Sequence, residues 1–128
     1  MDFLPDDVAE ISADAFSATL AELTAILGPD SVLAETAETA DFRDPFQPTQ
    51  WKAFWPGAVV QPTTVEDVQA IVRIAVKYGI PVWAQGQGRN NGYGGAAPRV
   101  SGGITVNFRR MNRVLELDEE RTRCLSRA

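Results

Sequence analysis

Apolar residues return at two different periods along this chain. Over residues 13–27, Phe16, Leu20, Leu23 and Leu27 recur at helical spacing and share one face. Ser12 stands where a helix cap is needed, and Gly28 followed by Pro29 closes the segment. A second helical pattern carries Val68, Ile71, Val72, Ala75 and Val76, the spacing of a core-facing stripe. Before it, Thr63-Thr64-Val65-Glu66 matches a capping box in which Thr63 and Glu66 satisfy each other's free backbone donors, and Gly79 ends the helix. Short runs flank this helix, Ala58-Val59-Val60-Gln61 ahead of it and Ile80-Pro81-Val82-Trp83-Ala84 after it, and both read as strands. A strand, a helix and a strand with short joints predict a right-handed crossover between parallel strands, with Pro81 tolerable at an edge or first position. Two more strands are expected, Ile104 to Phe108 and Val114 to Leu117, with a turn at Met111-Asn112-Arg113 between them.

The remaining segments show no clear period. Residues 29–56 read as irregular, broken by Pro45, Pro48 and Pro56, with Phe42, Phe46, Trp51, Phe54 and Trp55 expected to pack on the core. The tail from Arg121 to Ala128 has neither the helical nor the strand pattern. The fold class is therefore α+β. The chain divides into an N-terminal helix with an irregular lead-in (1–55), a β-α-β unit with its following loop and strands (56–118), and a tail (119–128).

Composition narrows the function classes. At 128 residues with 45% apolar and 23% charged residues, this is one ordinary globular domain or less. No apolar run is long enough to suggest a membrane span, and the acidic start lacks the pattern of a secretory signal, so a cytoplasmic protein is expected. The single cysteine, Cys124, cannot form an internal disulfide. The chain has no histidine, which removes the commonest metal ligand and general base. Net charge is −5, yet residues 43–115 carry nine basic residues against three acids. That basic excess sits with most of the glycines and suits a small anion better than a nucleic acid.

Seven of the ten glycines lie between residues 86 and 103. The run is Gly86-Gln87-Gly88-Arg89-Asn90-Asn91-Gly92-Tyr93-Gly94-Gly95-Ala96-Ala97-Pro98-Arg99. Glycine permits positive φ, lets amide N–H groups turn inward around an anion, and allows the backbone to approach a ligand closely. Arg89 and Arg99 carry the charge to neutralise a phosphate. A Walker loop is absent, and the spacing Gly86-x-Gly88-x-x-x-Gly92 followed by a strand is not the Rossmann fingerprint. On these residues alone, phosphate or nucleotide binding and a purely structural or flexible loop stay equally open.

The segment from Pro56 to Leu117 resembles the PCMH-type FAD-binding domain of the vanillyl-alcohol oxidase family, and the string Gly88 to Arg99 is similar to its 4-phenol-oxidising branch. The resemblance implies an N-terminal helix followed by the first β-α-β subdomain of that fold, truncated. It implies FAD as cofactor, its pyrophosphate wrapped by Gly86, Gln87, Gly88, Arg89, Asn90, Asn91, Gly92, Gly94 and Gly95, mainly through backbone N–H groups. Tyr93 would match a tyrosine that binds the phenolate oxygen of a small phenolic substrate, whose para carbon gives a hydride to flavin N5. No nucleic-acid or membrane partner is implied, and the full-length parent would be a homo-oligomer. Two other readings remain: a related FAD-linked hydroxy-acid or sugar oxidase, and a non-catalytic anion-binding module. Gly86 departs from the serine found in many relatives and so lacks one hydroxyl for phosphate. The other substrate-binding residues of the family lie in a later cap domain, so the chain alone is expected to be inactive. Its tail is expected to derive from a frameshift near Arg121–Thr122, which the DNA beyond the stop would test.

Overall fold

The computed structural model describes residues 11–44, 55–88, 95, 96, 98, 100 and 102–126. Helix α1 spans Ala13–Leu27, with the Ser12 side chain accepting from the Ala15 amide at 3.1 Å and Gly28 closing it. The next segment is more regular than its sequence suggests. A 3-10 turn (Pro29–Ser31) leads into strand β1 (Val32–Leu33), helix α2 (Thr36–Thr39) and a second 3-10 turn (Ala40–Phe42). Each of these elements has only two to four residues, too few to display a period.

Strand β2 (Ala58–Val60), helix α3 (Val65–Tyr78), strand β3 (Val82–Gln85) and strand β4 (Ile104–Asn107) complete the main layer. The sheet order is β1-β2-β4-β3. Strands β2 and β3 both run parallel to β4, and β1 is antiparallel to β2. The expected parallel arrangement of the β-α-β unit holds, with β4 inserted between its two strands. Pro81 precedes β3, which is an edge strand, as its missing N–H requires. Its carbonyl accepts from the Ile104 amide at 2.9 Å. A Cβ on neighbouring Gly103 would lie 2.9 Å from that same oxygen, so glycine lets the two strands start this close.

Helices α1 and α3 cover one face of the sheet. Leu23, Ala58, Val60, Ile71, Ile74, Ile80, Ile104 and Val106 form the buried core there, with Phe16, Leu20 and Leu27 of α1 packed against it. Full burial of each large aliphatic side chain contributes roughly 1.5–3 kcal/mol. The buried stripe of α3 is Ala70, Ile71, Ile74 and Ala75, rotated from the expected one. Val72 and Val76 are 48% and 76% exposed. Ala70 and Ile74 face the sheet instead, which turns the two valines outward. With Ile80, Pro81 and Val82 they line an open apolar groove of about 380 Å³ beside the free edge of β3.

The cap of α3 also lies one residue later than the sequence suggests. Thr64, not Thr63, is the N-cap, and its box partner is Asp67, not Glu66. The Asp67 carboxylate accepts from the Thr64 amide at 2.9 Å, and from the Thr63 amide and hydroxyl at 2.8 and 2.9 Å. The Asp67 amide donates to Thr64 Oγ1 at 3.1 Å. Partial burial raises the Asp67 pKa, but the hydrogen bonds from Thr63 and Thr64 outweigh it and hold the group below its ordinary 3.8. Glu22 of α1 accepts from Lys77 Nζ and, at 2.7 Å, from the Tyr78 hydroxyl, joining the two helices at the surface.

A second sheet follows, made only of strands β5 (Val114–Asp118) and β6 (Arg123–Ser126) paired antiparallel. Within the tail that shows no period, Arg123–Ser126 is thus a strand. Its missing alternation has a plain cause: both sides of β6 are exposed. Leu115, Leu117 and Leu125 are 50–65% exposed. Among the described residues no helix is long and apolar enough to cross a membrane.

Candidate functional site

The glycine loop leaves the sheet at the carboxyl end of β3 and returns to β4, which itself ends at Asn107. In parallel sheets this end is where ligands bind, because strand carboxyl ends and the loops that follow them open into a crevice there. Of the expected cofactor residues, Gly86, Gln87, Gly88 and Gly95 are described; Arg89, Asn90, Asn91, Gly92, Tyr93, Gly94 and Arg99 lie outside the described residues.

Gly86 and Ala96, ten positions apart in the loop, meet over a buried polar pair. Gln85, the last residue of β3, stands directly opposite Asn107, the last residue of β4. They are 6% and 0% exposed. Gln85 Nε2 donates to the Ala96 carbonyl at 3.1 Å and to the Phe42 carbonyl at 3.2 Å. Asn107 Nδ2 donates to Gln85 Oε1 at 2.9 Å and to the Gly86 carbonyl at 2.8 Å. Asn107 Oδ1 accepts from the Arg109 amide at 3.2 Å. Every amide hydrogen of both side chains therefore has an acceptor, the condition for a buried polar pair to hold its surroundings rigidly.

Two points of the loop are tied to this pair. The Gly86 carbonyl is tied at the start of the loop and the Ala96 carbonyl ten residues on. The Ala96 amide donates to Asp44 Oδ2 at 3.3 Å. Gly88 takes φ +70, and a Cβ there would lie 2.9 Å from Gln85 Nε2 and 3.8 Å from Ala96 Cβ. A side chain at that position would meet both unfavourable backbone geometry and a fully bonded amide. Gly86 is the reverse case: a Cβ on it meets nothing within 4 Å, so its outer side is open. Tight packing beneath and open space outside is the form a backbone cradle for an anion needs. Among the described residues, a ligand can approach the main chain at Gly86.

Nearby charge is mixed. The Arg109 guanidinium lies 5.5 Å from the Phe42 ring, and Phe42 is buried against the loop base. Asp44 brings a carboxylate to the same base, engaged by the Ala96 amide. Among the described residues no group of histidine, cysteine, aspartate or glutamate is placed to hold a metal ion. Sequence reasoning missed Gln85, Asn107 and Asp44. The available signal was a polar amide closing each of two neighbouring strands, just where apolar residues dominate.

Comparison with known proteins bears on this geometry. The family described as FAD binding domain matches residues 56–128. The chain is 36% identical over 105 residues to the 4-cresol dehydrogenase [hydroxylating] flavoprotein subunit of Pseudomonas putida, covering 82% of this chain and 20% of that protein. Its fold is similar to 4-ethylphenol oxidase from Gulosibacter chungangensis, with a TM-score of 0.80 and 42% identity over 91% of this chain and 22% of that one. It is also similar to p-cresol methylhydroxylase with substrate bound, with a TM-score of 0.78 and 35% identity over 90% of this chain and 22% of that one. The chain thus spans about a fifth of the length of the relatives it matches.

Proposed function

This chain belongs to the FAD binding domain family, and on that premise we propose that it is the pyrophosphate-holding part of a flavin-dependent oxidoreductase acting on para-substituted phenols. The observation that carries this reading is the closed base of the glycine loop at the carboxyl ends of two parallel strands. Its likeness to phenol-oxidising flavoproteins supports the choice of substrate class.

In this reading Gly86, Gln87, Gly88, Arg89, Asn90, Asn91, Gly92, Gly94 and Gly95 bind the FAD pyrophosphate, largely through main-chain N–H donors. The Arg89 side chain offsets its charge. Tyr93 holds the phenolate oxygen of the substrate, which favours loss of a hydride at the para position. When bound, FAD supplies the hydride-accepting chemistry; the protein supplies position and electrostatics. The chain by itself binds cofactor without turning over phenols, since it spans so small a share of its relatives.

The test is a titration of the chain with FAD, followed by flavin fluorescence. Saturable binding that ADP displaces is the expected result, because ADP carries the same diphosphate. Replacing Gly92 or Gly94 with valine should weaken FAD by about tenfold or more, through loss of close backbone approach. Absence of saturable binding, both in this chain and in a longer protein that contains it, would refute the assignment.

A further inference from the structure

We infer that Gln85 and Asn107 are positioning residues: together they hold Gly86, where the loop leaves β3, and Ala96, ten positions on, against one buried amide pair, and so fix these two points for a ligand that approaches the loop. This rests on the FAD reading for the identity of the ligand, but not for the lock itself. Both side chains are buried, and their amide hydrogens go to backbone carbonyls and to the contact between them.

The geometry distinguishes a lock from ordinary core packing. The four hydrogens on the two amide nitrogens go to four acceptors: Phe42 O, Ala96 O, Gly86 O and Gln85 Oε1. Two of these acceptors are the loop's own first and last tethered carbonyls. They are separated by ten positions in sequence and held on one pair of touching side chains. Gly88 packs directly on Gln85 Nε2, so the first bend of the loop is moulded on this amide. Loss of either side chain leaves buried carbonyls without donors, and such groups regain partners by opening to water. Gly86 and Ala96 would then part, and ligand binding would have to supply the ordering entropy that the two tethers now remove in advance.

The experiment uses the 128-residue chain. Gln85→Met keeps the length of the side chain and removes its hydrogen bonds. Asn107→Leu does the same at the partner position. Ile71→Val, remote from the loop in the core, serves as a control with lowered stability. Hydrogen exchange across residues 86–96 and FAD affinity are measured at temperatures giving all variants the same fraction folded. The expected result is exchange at least about tenfold faster in this segment for the two amide variants only, with unchanged protection in α3. FAD should bind about tenfold more weakly than to the control. The double variant should lose no more than the worse single one, because one network is broken either way.

Loop exchange equal to that of the control would overturn the inference. So would faster exchange with undiminished FAD affinity, since the lock would then have no bearing on binding. If the amide variants fail to fold, Gln85→Asn, which shortens the reach while keeping the amide, gives the same comparison. If the unaltered chain fails to bind FAD while loop exchange responds to the substitutions, the tethering of Gly86 and Ala96 stands, and the ligand assignment falls once a longer protein that contains the chain also fails to bind.

Discussion

The two sheets of this protein are built from the same kinds of residue and hold together for different reasons. In the four-stranded sheet, all of β2 and β4 is buried, and helices α1 and α3 supply the apolar surface opposite Ile104 and Val106. In the two-stranded sheet every residue except Asp118 is exposed. Its leucines meet solvent, and its visible ties are the strand ladder and the contacts of Asp118 with Arg121 and Arg123. Surface pairs of this kind contribute little, and an isolated hairpin is marginal in water. The difference teaches that β-forming residues make a strand in either setting, while stability comes from what lies across the face.

The sharpest way to break this contrast is to hollow the core. Ile71→Ala should cost about 2–5 kcal/mol through lost transfer energy and the cavity left behind, read as a shift in the denaturant midpoint. Next in size is Gly88→Val. With φ at +70 and a Cβ 2.9 Å from Gln85 Nε2, it should cost roughly 1–3 kcal/mol and weaken FAD binding as well.

Thr64→Ala, which removes the cap of α3, should cost about 1 kcal/mol. The same cap sets a pH dependence. The Asp67 pKa is lowered in the folded protein, so its contribution is complete above its ordinary value of 3.8 and fades as pH falls below that. Asp67→Asn should reduce that acid-limb loss in a pH series of denaturation curves. Smallest of all, Leu117→Ala should change stability by less than about 0.5 kcal/mol, because the side chain is 65% exposed. A loss there as large as that at Ile71 would mean that the hairpin has an apolar partner, and the contrast would collapse.

The same contrast explains what could be read from sequence. Helix α1 was legible to the residue, from Ser12 to Gly28, because a long amphipathic stretch repeats its signal several times. The stripe of α3 was harder: Val72 and Val76 are as apolar as any core residue, and only the position of the sheet decides that they face outward. Strand β1 was invisible because two residues carry no period. The box at Thr64 was misplaced by one residue because adjacent threonines offer two equivalent starts, and the aspartate three places after Thr64 decides between them. At the site, the glycine run announced itself through composition. The amides beneath it did not, since a glutamine and an asparagine ending two strands acquire meaning only once β3 and β4 lie side by side.

The order β1-β2-β4-β3 has a consequence for how the molecule comes into being. The strand at the heart of the sheet is the one whose residues leave the ribosome last of the four. Until Ile104 to Asn107 emerge, β2 and β3 face each other across a vacant slot and have no ladder to share. The slot is about two strand spacings wide, roughly 10 Å. Core, parallel sheet and loop base therefore become complete only with β4, some twenty residues past β3.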